Sequence, residues 1–564
     1  MTRIRNLFRM GAIGGLIAGL GAGLPLSAAA QTAPAVNDQI KQLQNEIRAI
    51  QKQYQTQIRG LQKQLDDLKA GQAATQAALQ PVPPPAPGAP ARLAVPPTAA
   101  ALPPPVPGAP GAPPPPPAAA AAKGKGVFGT GIEVSLANTF LEGVSIFRTR
   151  NETADVLSNF NTLIPMPNNP NYRLSEFRES AHTSRFALLA QGSVDEDTKL
   201  AGYFETDFQS AGTTSNSGEV NGYTLRLRQA YATLDKKDWG TSILGGQAWS
   251  LLTLFNSDMT PRREQIPLTI DASYVPGFTY IRAPLFRVVQ HFDERYAAGL
   301  SLESPQAIIF NGPNPPVVPT TFNNPGGTGL GSPLATTATF STDVGPDVVV
   351  KLTADPGVGH FEVYGLGRAF RSRANFSNHT IIGGGGGAGM ILPIVPKLLD
   401  VQADFLVGDG IGRYGAAQLP DVAVKPTGVL APVPEIQALV GLVGHPTDYI
   451  DLYTYAGIEQ AGRTSFTSGT LPFGYGNPLY NNTACLHEAA SVAAAATNCA
   501  ANTSRVWQIT GGFWWDVYKG DFGRLRIGGQ GSYTERSVFA GIGGGPNTNV
   551  GIFMASLRYY PFAP

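Results

Sequence analysis

Cysteine, histidine and charge are all scarce in this chain of 564 residues. Two cysteines exclude a disulfide-built scaffold, a thiolate zinc domain and an iron–sulfur protein. The six histidines, at 182, 291, 360, 379, 445 and 487, are scattered without an H-E-x-x-H motif or paired spacing, so no metal centre and no cofactor are expected. Charged residues make up 14% of the chain and the formal net charge is +1, which excludes the basic footprint of a nucleic-acid binder. Beyond the N-terminus no apolar run is long enough for a spanning helix. No catalytic constellation emerges either, and an enzyme is not expected. The run Gly383–Gly387 lacks the helix start and lysine of a phosphate cradle and reads as close packing or a bend.

Glycine and proline, by contrast, are abundant, at 66 and 48 residues, and the chain divides by composition. Residues 1–30 read as a signal peptide. Arg3, Arg5 and Arg9 precede an uncharged stretch, and Ala28-Ala29-Ala30 supplies a small-residue cleavage site. Removing those three arginines takes the formal charge from +1 to −2. Residues 36–70 carry apolar side chains at Val36, Ile40, Leu43, Ile47, Ile50, Tyr54, Ile58, Leu61, Leu65 and Leu68. This is a heptad seam with a stutter, and predicts an α-helical coiled coil. Ile47 and Ile50 favour three strands, Leu43, Leu61 and Leu68 two, so the seam leaves the number open. Residues 71–126 form an Ala/Pro-rich linker, extended and unable to build a core.

Residues 127–564 change to a period of two. Leu225, Leu227 and Tyr231 form one face with Tyr223, against Thr224, Arg226, Arg228 and Ala230; Phe361 and Val363 oppose His360, Glu362 and Tyr364. Sixteen such segments are read, roughly 130–148, 182–193, 198–209, 222–234, 241–252, 278–291, 295–303, 346–354, 359–370, 380–393, 397–408, 434–444, 449–461, 505–517, 524–537 and 549–562. Every second connection is short, and the intervening ones are usually long, notably 149–181, 253–277, 304–345 and 462–504. A soluble β-sandwich alternates too but gives no reason for this parity. The expected fold is an all-β transmembrane barrel of about sixteen antiparallel strands in the bacterial outer membrane, its short turns and both termini in the periplasm. The coiled coil is then periplasmic, with possible cell-wall contact. Aromatic residues near strand ends, among them Tyr223, Tyr231, Trp239, Trp507, Trp515, Tyr518, Tyr559 and Phe562, would meet the lipid headgroups.

With apolar faces on lipid, the opposite faces line water. Arg185, Arg226, Arg228, Arg287 and Arg295 then point inward, and Glu205, Asp207, Asp400 and Asp404 form an acidic wall elsewhere. Arg226 or Arg228 on the lipid face would cost about 2–4 kcal/mol each near midplane. The third long loop, 253–277, carries Arg262, Arg263 and Glu264; in barrels of this kind a loop at this position folds into the lumen, which makes Arg262 and Arg263 candidates for solute contact. Cys485 and Cys499 are expected to pair in an oxidising compartment and restrain their loop.

Ser184-Arg185-Phe186, the run Leu225–Tyr231 and Gly245-Gly246-Gln247-Ala248-Trp249-Ser250 resemble DcaP-like outer-membrane porins. The resemblance spans most of the barrel in order, is sharpest from 184 to 250, and extends to the exported coiled coil ahead of it. It implies a sixteen-stranded homotrimer in outer-membrane lipid that passes small solutes, often anions such as dicarboxylates. It also implies pore arginines at Arg226 and Arg228. The rival expectations are a carbohydrate-type porin, with aromatic rings at the constriction, and a structural tether between outer membrane and cell wall.

Overall fold

The computed structural model describes residues 126–128, 131–136, 138–209, 224–312, 343–374, 376–491, 494 and 499–562. The signal peptide, the coiled coil and nearly all of the Pro-rich linker lie outside these residues. So does Tyr223. No helix among the described residues is long and apolar enough to cross a membrane; their regular structure is almost all strand.

A nineteen-stranded antiparallel sheet dominates. Its first two long passages are each interrupted, and joining their halves while setting aside the three-residue Gly126–Phe128 leaves sixteen passages. They are β1 (Ile132–Ser135 with Leu141–Arg148), β2 (Glu176–Ser180 with Arg185–Ser193), β3 (Thr198–Asp207), β4 (Arg226–Lys236), β5 (Thr241–Trp249), β6 (Arg282–His291), β7 (Tyr296–Glu303) and β8 (Asp347–Ala354). The second half comprises β9 (His360–Ala374), β10 (Ser377–Val395), β11 (Leu399–Asp409), β12 (Pro434–Thr447), β13 (Ile450–Ala461), β14 (Thr503–Gly520), β15 (Gly523–Val538) and β16 (Asn547–Tyr560). Each pairs with its sequence neighbours. β16 also pairs with β1, through Ile552 opposite Arg148 to Tyr559 opposite Leu141, so among the described residues the pairing returns from the last strand to the first and runs in a ring.

The connections keep the expected parity. Those after every even-numbered strand up to β14 are turns of two to five residues. Those after odd-numbered strands are long, except residues 375–376 between β9 and β10, where the two strands simply extend into a tall hairpin. The long connections carry small sheets of their own, Ile309–Phe310 with Val422–Val424 and Leu430–Pro432, and the hairpin Thr464–Ser468 with Leu471–Tyr475.

Burial is inverted relative to a water-soluble protein. Along β8, Asp347, Val349, Lys351 and Thr353 are buried, while Val348, Val350 and Leu352 are exposed. Phe147, Phe177, Phe204, Leu227, Phe286, Leu300, Phe405, Ile509, Phe553 and Leu557 likewise stand on the outer face. Such a continuous apolar exterior is stable only where hydrocarbon rather than water meets it.

One strand departs from simple alternation. Across β3 and β4, Leu227 sits opposite Thr206 and Gln229 opposite Glu205, so Arg228 is an extra residue in a β-bulge. The bulge reverses parity beyond it. Leu225 and Leu227 are 61% and 44% exposed, but Tyr231 is 6% exposed and faces inward against Tyr203, with ring centroids 5.4 Å apart. Tyr231 is therefore an interior residue, not the headgroup aromatic the alternation suggests. Facing the bulge, Gly246 has φ +135°, and a Cβ there would lie 2.3 Å from the Ala230 carbonyl oxygen. The glycine run Gly383–Gly387 answers to close packing as well: a Cβ at Gly387 would fall 2.5 Å from the Tyr364 ring.

Candidate functional site

The ring encloses the long connection from β5 to β6, residues 250–281. Its backbone bonds to inward side chains of strands far around the ring, which is possible only across the lumen. On the outgoing side, the Ser250 hydroxyl and the Leu251 N–H both donate to Glu303 Oε1, at 3.1 and 2.9 Å. Phe255 N–H donates to Glu362 Oε1 at 3.0 Å, and Lys351 Nζ donates to the Thr253 carbonyl at 2.8 Å. On the return, Trp514 Nε1–H donates to the Leu268 carbonyl at 2.7 Å and Leu268 N–H to the Tyr455 hydroxyl at 3.3 Å. Gly277 N–H donates to Glu459 Oε1 at 2.7 Å. Between these anchors Trp249, Tyr274 and Phe278 pack edge-on.

Where the loop crosses, it leaves a cavity of about 240 Å³ against β1–β4 and β14–β16. Four guanidinium groups line it: Arg185 of β2, Arg228 of β4, Arg526 of β15 and Arg558 of β16. Two carboxylates line it, Asp207 of β3 and Asp271 of the loop. Each arginine is held by acids of strands one or two places away. Arg228 Nε contacts Glu205 Oε1 at 2.5 Å and its NH1 contacts Asp207 Oδ2 at 2.8 Å. Arg226 grips Asp207 with two N–H groups, at 2.9 and 2.7 Å. Arg185 NH1 stands 3.7 Å from Glu205. Across the cavity Arg526 pairs with Asp451 and Asp516, and Arg558 with Glu142 at 2.8 Å. On the loop, burial pushes the Asp271 carboxyl above its ordinary range, partly offset by its hydrogen bonds with Ser158 and Ser273, and burial raises Glu264 too.

Of the residues singled out from the sequence, Arg185, Asp207 and Arg228 meet at this cavity, with Arg226 and Glu205 in the same ion-pair cluster. Glu205 and Asp207 are thus not a wall standing elsewhere. Antiparallel register sets them beside the arginines, Asp207 opposite Arg226 and Glu205 opposite Gln229. Arg262 NH1 donates to the Tyr231 hydroxyl at 3.2 Å, so the loop's first arginine reaches the β4 wall. Arg263 turns to Asp258 at 2.8 Å and is half exposed. Arg287 is fully buried over the Phe255 ring, its NH2 donating to the Trp249 carbonyl. Arg295 is not on the pore wall. Asp293 Oδ1 accepts from the N–H groups of both Arg295 and Tyr296, which closes a turn there and delays β7 until Tyr296; Arg295 is exposed on the short-turn rim. Asp404 accepts from the Tyr364 hydroxyl at 2.5 Å, while Asp400 lies near the short turns, 4.0 Å from His445. Cys485 and Cys499 are joined in a disulfide.

The sequence reading passes over Arg526 and Arg558. Both stand on alternating strands, between Leu525 and Ile527 and between Leu557 and Tyr559, so period two does mark them. Among the described residues no group of three His, Cys, Asp or Glu side chains could hold a metal ion.

The fold has a counterpart among solved structures. The crystal structure of the outer membrane channel DcaP of Acinetobacter baumannii superposes with a TM-score of 0.52 at 18% identity, covering 76% of this chain and 97% of that one. The fold is shared with DcaP. An anion-selective porin from Comamonas acidovorans is also similar, with a TM-score of 0.41 at 11% identity over 76% of this chain and 99% of its own. No protein-family model matches the sequence, and no curated protein matches it. At 18% identity the likeness to DcaP speaks for the fold alone.

Proposed function

We propose that the protein is a passive diffusion channel of the bacterial outer membrane, a homotrimer that admits small hydrophilic solutes and prefers small anions such as dicarboxylates. The long loops would face outward and the coiled coil the periplasm. The observation that carries the reading is the cavity lining, four guanidinium groups against two carboxylates, one of which burial biases toward its neutral form. Glu205, Glu142, Asp451 and Asp516, which pair with these arginines, do not line the opening; in a narrow passage with low-dielectric walls, guanidinium groups presented at the opening focus the field and enrich anions.

The carbohydrate reading needs free aromatic faces. Here Arg558 lies 4.6 Å above the Phe140 ring and 4.4 Å above that of Trp514, so these faces already carry a cation. The tether reading needs no pore at all. Single-channel reversal potentials in a salt gradient test all three. Anion preference that falls in Arg228→Gln and in Arg262→Ala supports the proposal; cation preference unchanged by either removes the anion assignment, and a barrel without current favours the tether.

A further inference from the structure

A second cavity, of about 370 Å³, lies apart from the constriction among the long loops. The connection after β1 and that after β13 wall it, with Phe310, Pro420 and Tyr475 completing the apolar side and Arg536 of β15 at its base. Its volume falls within the range of small-molecule sites. We propose that this vestibule binds a small monocarboxylate with an apolar body, captured on Arg536 before the solute reaches the constriction.

Arg536 differs from the arginines below it. They are paired with carboxylates; among the described residues Arg536, 7% exposed, has none within ion-pair distance and no acid lines the cavity. Three of its N–H groups are spent on neutral acceptors: Nε on the Thr503 hydroxyl at 2.8 Å, NH1 on the Ile164 carbonyl at 3.3 Å and NH2 on the Ala501 carbonyl at 2.7 Å. A guanidinium has five, so two remain, the number one carboxylate accepts. One uncompensated positive charge calls for one negative charge. Met166, Phe310 and Tyr475 supply an apolar wall, Phe310 and Tyr475 meeting edge-on with centroids 4.9 Å apart. A dicarboxylate would leave its second charge against that wall, which is costly without a partner. The site therefore selects differently from the constriction.

The test is calorimetric titration of sodium benzoate into the detergent-solubilised full chain, which requires no current and so stands or falls separately from the channel reading. Wild-type protein binds benzoate saturably and Arg536→Lys stays within about threefold, whereas Arg536→Gln weakens binding at least tenfold and uncharged benzamide gives no saturable heat. Equal binding by Arg536→Gln, equal binding of benzamide, no saturable binding by wild type, or loss in Arg228→Gln but not in Arg536→Gln each overturns the proposal. If Arg536→Gln fails to fold, seen as loss of heat-modifiable mobility in a gel, Phe310→Ala decides. It should weaken benzoate several-fold and leave acetate unchanged; benzoate binding equal to wild type refutes the site.

Discussion

Asp207 is the acid whose removal most directly tests how the cavity reads charge. Its carboxylate takes Arg226 and Arg228 together and itself lines the cavity. In the cluster Arg185, Arg226, Arg228, Glu205 and Asp207, three positive charges meet two negative ones, a net of +1. Asp207→Asn makes it +2. For an ion roughly 6 Å away, an effective dielectric between 20 and 80 gives an interaction of about 0.7–2.8 kcal/mol. Screening over a Debye length of about 10 Å at 0.1 M salt roughly halves it. The change has opposite signs for chloride and potassium, so the permeability ratio shifts by about 0.7–2.8 kcal/mol, roughly threefold to a hundredfold. Asn keeps one carbonyl oxygen for the arginines, and both arginines stay in the water-filled interior. The assay is the zero-current potential of the reconstituted channel in a tenfold KCl gradient, with and without the substitution. An unchanged potential, or one that moves toward potassium, refutes the claim that this cluster sets the field.

Three further outcomes follow from the same arrangement. Single cysteines at Leu227 and Arg226 should differ under a water-soluble thiol reagent, Arg226→Cys reacting and Leu227→Cys protected; the native cysteines are bonded to each other, and equal labelling would contradict a lipid-facing exterior. Burial drives the Glu152 carboxyl up from 4.5 to about 7, with Arg148 only partly offsetting it. Its folded form is thus protonated where its unfolded form is ionised, so stability falls as pH rises from about 4.5 to 7 and stays lower above, by about 3 kcal/mol at most. Glu152→Gln should flatten that slope in melting temperatures taken at pH 5 and pH 8, and a slope retained in the variant would refute the assignment. Reducing the Cys485–Cys499 bridge, which spans 14 residues, should cost about 3 kcal/mol at most by loop entropy. The loss should be confined to the loop between β13 and β14, with β-sheet circular dichroism unchanged; loss of that signal would mean the bridge supports the ring itself.

Strand positions and loop parity were legible because lipid outside and water inside impose a two-residue rhythm that any short window reveals. All sixteen passages are where alternation puts them, and errors sit at ends. β2 begins at Glu176 rather than 182, and β9 and β10 run on to Ala374 and Ser377, where the hairpin extends beyond the apolar exterior and alternation fades into Arg371, Arg373 and Asn378. The bulge at Arg228 was not legible, since an extra residue leaves no mark until its partner strand is in register, and Tyr231 was misplaced with it. Nor was the pairing of Arg228 with Glu205, which depends on which residues of β3 lie beside β4. Arg295 shows a different limit: Asp293 captured two N–H groups and made a turn from what reads as the start of a strand.

The interior charges do two jobs, and their burial separates them. Lys351 and Glu362 pair at 2.5 Å with both side chains wholly buried, and the same two groups bind the Thr253 carbonyl and the Phe255 N–H. His360 bridges Glu362 to Asp355, whose Oδ2 accepts the Asp258 N–H at 3.0 Å. Breaking such a buried pair by removing one partner costs about 3–5 kcal/mol, and this set fastens the loop where it leaves β5. The cavity arginines stand at the far crossing, where Arg228 and Arg526 keep only 5% and 7% of their side-chain exposure but Arg185 and Arg558, with 25% and 16%, stay partly hydrated. A buried, mutually satisfied network has little field left for a passing ion, whereas a partly hydrated one does. Position of the loop is therefore set on the β8–β9 side and preference among solutes on the β2–β4 side, so substitutions at Lys351 should change pore size and stability before they change charge selectivity.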